Sequence, residues 1–155
     1  MKNYDKLLFV CTSNTALSPM AEAISQQLLR LEDILIESKG LVVLFPEPIN
    51  PRAEEVLAGS GLSLKDHTSS PFTRDDFDSR TLIITMTAEQ KEKIVSEYDS
   101  ALNLYSLPEY ISSDEEVNDP YGGDLEAYGN CFAQLSRMLE KVAERLRQED
   151  EECQR

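Results

Sequence analysis

Apolar residues follow two rhythms along this chain. Lys6 to Val10 (KLLFV) and Thr81 to Met86 (TLIITM) are unbroken apolar runs of strand length, the pattern of strands covered on both faces in a parallel sheet. Ile34 to Glu37 and Leu102 to Tyr105 are shorter runs of the same kind. Between them the period becomes that of a helix. One helix is predicted to open at Ser18-Pro19, because serine is a favoured N-cap and proline a favoured first helical residue. Met20, Ala23, Ile24, Gln27, Leu28 and Leu31 then follow with helical spacing. A second helix opens at Pro51 and stops near Gly59-Ser60-Gly61, and a third runs from about Thr87 to Tyr98. The last, from about Asp124 to Gln148, aligns Leu125, Tyr128, Phe132, Leu135, Leu139, Val142 and Leu146 on one face.

The order β-α-β-α-β-α-β-α, with right-handed crossovers, predicts a single α/β domain over residues 1–148. It is a doubly wound, flavodoxin-like four-stranded parallel sheet flanked by helices, followed by an acidic, frayed tail over 149–155. Ligands of such sheets bind at the carboxyl ends of the strands. Cys11 stands at such an end, and Thr12-Ser13-Asn14-Thr15-Ala16-Leu17-Ser18 carries the chain into the first helix. Backbone N–H groups converge at a strand-to-helix loop of this kind, so it attracts anions and favours a thiolate at Cys11. Asp119-Pro120-Tyr121-Gly122-Gly123 follows the fourth strand at the same edge, where a carboxyl can protonate a leaving group. Residues 39–50 (KGLVVLFPEPIN) have no clear period, and the apolar 41–49 segment suggests a surface for a protein partner.

Composition narrows the function classes. The 41% hydrophobic content of 155 residues suffices for one core. No run of about 18 apolar residues and no basic leader followed by an apolar stretch is present, which argues against a membrane span or an export signal. With 29 acidic against 15 basic residues, the net charge of −14 disfavours nucleic acid and anionic membranes. The three cysteines, 11, 131 and 153, form no short-spaced metal pattern and no disulfide framework. No metal and no cofactor are implied, and a reducing cytoplasm is the expected compartment. Cys131 reads as a packing residue and Cys153 as incidental.

Cys11-Thr12-Ser13-Asn14-Thr15-Ala16-Leu17-Ser18-Pro19-Met20-Ala21-Glu22, joined with the distant Asp119-Pro120-Tyr121, resembles the low-molecular-weight protein tyrosine phosphatase family, especially its bacterial protein-arginine phosphatase branch. The resemblance continues through Ser38-Lys39-Gly40, His67-Thr68-Ser69-Ser70, Met86-Thr87 and Leu107-Pro108-Glu109-Tyr110. It implies a phosphocysteine mechanism acting on a phosphorylated protein or a small phosphate-type ligand. Cys11 matches the nucleophile and Asp119 the acid that later serves as base. Ser18 matches the hydroxyl that hydrogen-bonds the thiolate, Asn14 and His67 match residues that brace the loop, and Tyr121 matches a wall of the cleft. Thr15 matches the position where the arginine-phosphatase branch carries threonine.

Departures from the family pattern set a second expectation. The signature has arginine, followed by Ser or Thr, where this chain has Leu17. Leucine offers neither the planar fork of donors nor the charge that grips two phosphate oxygens. One lost oxyanion donor costs about 10²- to 10³-fold in rate, and an arginine on a transferring phosphoryl group is worth about 10³- to 10⁵-fold. Ala16 replaces a common second cysteine that protects the nucleophile, and Ser70 replaces a common basic residue. Arg52 and Arg74 are expected to be solvated rather than to substitute for the missing cation. The readings left open are a phosphatase of strongly impaired turnover and a pseudophosphatase that binds a ligand or protein. A thiol relay of the arsenate-reductase kind lacks the close downstream cysteine pair it would need.

Overall fold

The computed structural model describes residues 3–154. Its elements are β1 (Lys6–Cys11), α1 (Leu17–Leu28), β2 (Leu35–Gly40), α2 (Pro51–Gly59), β3 (Thr81–Thr85), α3 (Ala88–Glu97), β4 (Leu104–Ser106), α4 (Leu107–Tyr110) and α5 (Leu125–Gln154). The four strands pair in parallel in the order β2-β1-β3-β4, with Cys11 opposite Gly40 and Val10 opposite Thr85. The nucleophile candidate therefore ends an inner strand, flanked on both sides by neighbouring strand ends.

Strands covered on both faces need apolar residues at successive positions, and β1 has them. Leu7, Phe9 and Cys11 belong to a large core shared with α1, α2 and α5, whereas Leu8 and Val10 belong to a second core with Ile83, Ile94 and Phe72. The second core is closed by edge-to-face aromatic contacts among Phe72, Phe77 and Tyr98 with ring centroids 5.4 to 5.7 Å apart. Helices thus cover both faces, as the alternation of strands and helices predicts.

Several boundaries differ from the sequence expectation, each for a physical reason. β2 reaches Gly40 rather than stopping at Glu37, because pairing with β1 carries the polar Ser38 and Lys39 along. The fourth strand is Leu104–Ser106 and passes directly into α4, which the sequence pattern misses. Ser106 and Glu109 cap that single turn reciprocally, each side chain accepting from the other's backbone N–H at 3.2 Å.

α5 continues as helix through Gln154 rather than ending at Gln148; Glu149 and Asp150 are half-buried, while Glu151, Glu152 and Cys153 are exposed. Arg145 lies 3.9 Å over the Tyr110 ring and pairs with Glu149 at 2.7 Å, and the Tyr110 hydroxyl donates to Glu149 at 3.2 Å. The buried face of α5 also shifts: Tyr128, Cys131, Leu135, Met138, Leu139, Val142 and Leu146 are buried, while Phe132 is half-buried and Leu125 exposed. No helix among the described residues is long and apolar enough to cross a membrane.

Candidate active site

The loop from Cys11 to Ser18 is built around Asn14. Asn14 is fully buried at φ 60°, a left-handed conformation that asparagine tolerates better than most residues. Its side chain is oriented without ambiguity, because the Ser70 backbone N–H donates to Oδ1 at 3.1 Å. Nδ2 therefore donates, at 2.9 Å to Ser18 Oγ and at 2.9 Å to Ser38 Oγ. Ser18 Oγ lies 3.0 Å from Cys11 Sγ, and once Cys11 is a thiolate the hydroxyl is the donor of that pair. Ser38 likewise donates to Glu22 Oε1 at 2.7 Å. His67 Nε2 lies 2.8 Å from the Asn14 carbonyl, an acceptor only, so the imidazole proton on that nitrogen is fixed.

Gly40 leaves room for this network. A Cβ there would lie 2.6 Å from Val43 Cγ2, 2.9 Å from Asn14 Cβ and 3.0 Å from the Thr12 carbonyl. The following segment is tied to the loop by Leu41 N–H to the Cys11 carbonyl and Val42 N–H to the Thr12 carbonyl, both at 2.9 Å.

α1 begins at Leu17 with no side-chain cap. Ser18, expected as the cap, lies inside the first turn and spends its hydroxyl on Cys11. The free N–H groups of that turn stand at the cradle, where an anion can accept from them. The Asn14 N–H already reaches Cys11 Sγ at 3.3 Å.

A cleft of about 80 Å³ opens over Cys11. Thr12, Ser13, Thr15, Ala16 and Leu17 form its floor, and Asp119 and Tyr121 line it from the loop after α4. Asp119 Oδ1 accepts from the Tyr121 N–H at 3.0 Å, and the Tyr121 side chain is 88% exposed at the rim. The structure thus brings the two distant motifs to one opening.

Three further lining residues come from segments that the sequence analysis assigned other roles. Asn50 caps α2 and donates its N–H to the Thr15 carbonyl at 2.8 Å. Gln90 accepts from the Met86 and Thr87 N–H groups and points Nε2 at Thr12 Oγ1, 3.4 Å away. Tyr128 comes from the buried face of α5. Asn-Pro at 50–51 and the Thr87–Gln90 capping box are the sequence signals that mark the first two.

The electrostatics correct one expectation. Burial pushes the Cys11 thiol above its ordinary value, against the opposing pull of the Ser18 hydroxyl and of the backbone N–H groups of Ser18, Asn14 and Ser13. Cradle dipoles alone do not offset the lost hydration. Leu17 itself is only 4% exposed and packs in the large core. Among the described residues no lysine or arginine lines the cleft; Arg52 and Arg74 are exposed and are not part of its lining. Burial also raises the Glu22 carboxyl, opposed by the Ser38 hydrogen bond and by the His67 charge.

The model of the low molecular weight phosphotyrosine protein phosphatases matches residues 6–152. The chain belongs to that family. Among its relatives, a protein-tyrosine-phosphatase PtpB of Staphylococcus haemolyticus is 34% identical over 137 residues, 88% of this chain and 96% of the relative. The protein-arginine-phosphatase of Bacillus subtilis is 31% identical over 147 residues, covering 92% and 97%. The structure of YwlE arginine phosphatase from Geobacillus stearothermophilus superposes with a TM-score of 0.87 at 30% identity, covering 95% and 96%. Low molecular weight phosphatases of both substrate names therefore share this sheet and its helices.

Proposed function

We propose that the chain is a low-molecular-weight protein phosphatase whose turnover on phosphotyrosine or phosphoarginine is held far below that of an arginine-bearing loop. Cys11 Sγ attacks phosphorus, and the bond from phosphorus to the leaving oxygen or nitrogen breaks as the Asp119 carboxyl passes it a proton. Water then attacks the phosphocysteine, Asp119 takes a proton from it, and the sulfur–phosphorus bond breaks to release phosphate and restore the Cys11 thiolate, the form that begins the next cycle. Ser18 holds the departing thiolate of the second step through its hydrogen bond, and the loop amides take the equatorial oxygens.

The observation that carries this reading is the hydrogen-bonded chain Ser70–Asn14–Ser18–Cys11 opening onto the same cleft as Asp119. The impairment rests on Leu17: no guanidinium meets the dianion, and the buried thiol is biased toward its neutral form. Substrate proteins would rest apolar side chains on the exposed Val42, Leu44 and Phe45 beside Ser13. The same absence of a cation favours the second reading, a pseudophosphatase that holds a phosphorylated protein without cleaving it.

A paired assay of the native chain and Leu17→Arg on an aryl phosphate and on phosphoarginine separates the two. The arginine variant is expected to turn over about 10²-fold faster or more. Native turnover within about tenfold of the variant overturns the impairment; if neither protein turns over, the defect lies elsewhere and the binding reading strengthens.

A further inference from the structure

The loop that carries Asp119 spans residues 111–124 without a strand or helix, so something must fix its course. Val117 anchors it in the core at 6% exposure. The amide of Gln134, on α5, then ties down both sides of Val117. Its Oε1 accepts from the Asn118 N–H at 3.0 Å, and its Nε2 donates to the Glu116 carbonyl at 2.8 Å and to Glu115 Oε2 at 2.9 Å. The Asn118 N–H can only donate, so the amide is fixed in this sense. One side chain thus bonds to the backbone of Glu116 and Asn118 as a strand partner would, ending one residue before Asp119. Arg137, one turn further along α5, adds a two-pronged pair to Glu115, with both N···O distances 2.7 Å.

We propose that Gln134 is a positioning residue for Asp119, setting where the acid meets the leaving group while leaving phosphate capture to the Cys11 loop. The proposal rests on the phosphatase reading given above. The proton passes from the Asp119 carboxyl to the leaving oxygen or nitrogen as its bond to phosphorus breaks, so a displaced Asp119 slows substrates in proportion to how badly their leaving group needs that proton. Arg137 plays a lesser part, because its pair with Glu115 is exposed and lies farther from Asp119 along the loop. The Glu115 carboxyl is nonetheless held down, at about 2, chiefly by that guanidinium, so the pair persists through the working pH range.

The test compares the native chain with Gln134→Met, which keeps length but makes no hydrogen bond, with Arg137→Met and with Asp119→Asn. Two readouts are taken: amide hydrogen exchange over 115–121, and kcat/KM on aryl phosphates whose leaving groups differ in acidity. Gln134→Met is expected to exchange faster in 115–121 alone. It is also expected to lose about tenfold on the poorest leaving groups and less than about twofold on 4-nitrophenyl phosphate, with inhibition by inorganic phosphate unchanged. Asp119→Asn should show the same slope more steeply, and Arg137→Met a shallower one. Unaltered exchange in Gln134→Met, or an equal loss across all leaving groups, overturns the proposal. If the native chain has no measurable turnover, the phosphatase reading fails while the exchange result still decides whether Gln134 holds the loop.

Discussion

A thiol closed off from water ionises only where charge or well-aimed dipoles offset its lost hydration. At Cys11 the dipoles are present: Ser18, Asn14 and the first turn of α1 all face the sulfur. The charge is not, because Leu17 presents a buried isobutyl group. Site-resolved alkylation therefore has a definite expected form. Below its raised pKa Cys11 holds its proton, so its rate should be low at pH 7 and still climbing at about pH 9. Leu17→Arg should move that profile to lower pH. Coincident profiles for the two proteins would show that the cradle, not the missing cation, sets the thiol. The contiguous part of this site, Cys11 to Ser18, was readable from sequence because one loop holds it all. Asn50 and Gln90, which line the cleft, and Gln134, which bonds the loop before Asp119, were not, since the local pattern of each element already accounts for them as a cap or a helix-surface residue.

Strand ends and helix starts carry the site, and their legibility depended on how completely packing determines them. β1 and β3 were read correctly because both faces of each are buried and leave no polar alternation to confuse the period. β2 was cut short because the sequence shows Ser38 as polar, while the fold uses it inside the Asn14 network. On α5 a step of three selects the small Cys131 where a step of four selects Phe132, and it is Cys131 that is buried in the core α5 shares with α1 and α2. Gly40 lies where β2 hands over to the loop. Gly40→Ala must displace Asn14 or the Thr12 carbonyl, and is expected to cost about 1 to 3 kcal/mol in urea unfolding while quickening Cys11 alkylation. A substitution neutral in both measurements would mean that the Asn14 network gives way without consequence.

Across the whole molecule, the charge of −14 sets a field that a phosphate dianion must cross, and no cation among the described residues lines the cleft to receive it. Phosphorylated peptides should therefore be sorted by their flanks. Basic residues beside the phosphorylated one are drawn in and acidic ones repelled, whereas apolar ones gain by resting on Val42, Leu44 and Phe45. Fields between exposed charges fade over roughly 10 Å at about 0.1 M salt, so raising ionic strength from about 0.02 to 0.15 M should weaken capture of basic-flanked peptides and strengthen that of acidic-flanked ones. Binding can be followed on Cys11→Ser, which retains the cradle but removes the nucleophile, so the comparison does not depend on turnover. Phe45→Ser should weaken peptides with apolar flanks several-fold and leave inorganic phosphate untouched. Equal salt slopes for basic and acidic flanks would locate discrimination in the Cys11 loop alone. If Phe45→Ser weakened phosphate as strongly as peptide, the 41–49 segment would be part of the cradle's support rather than a surface for the substrate.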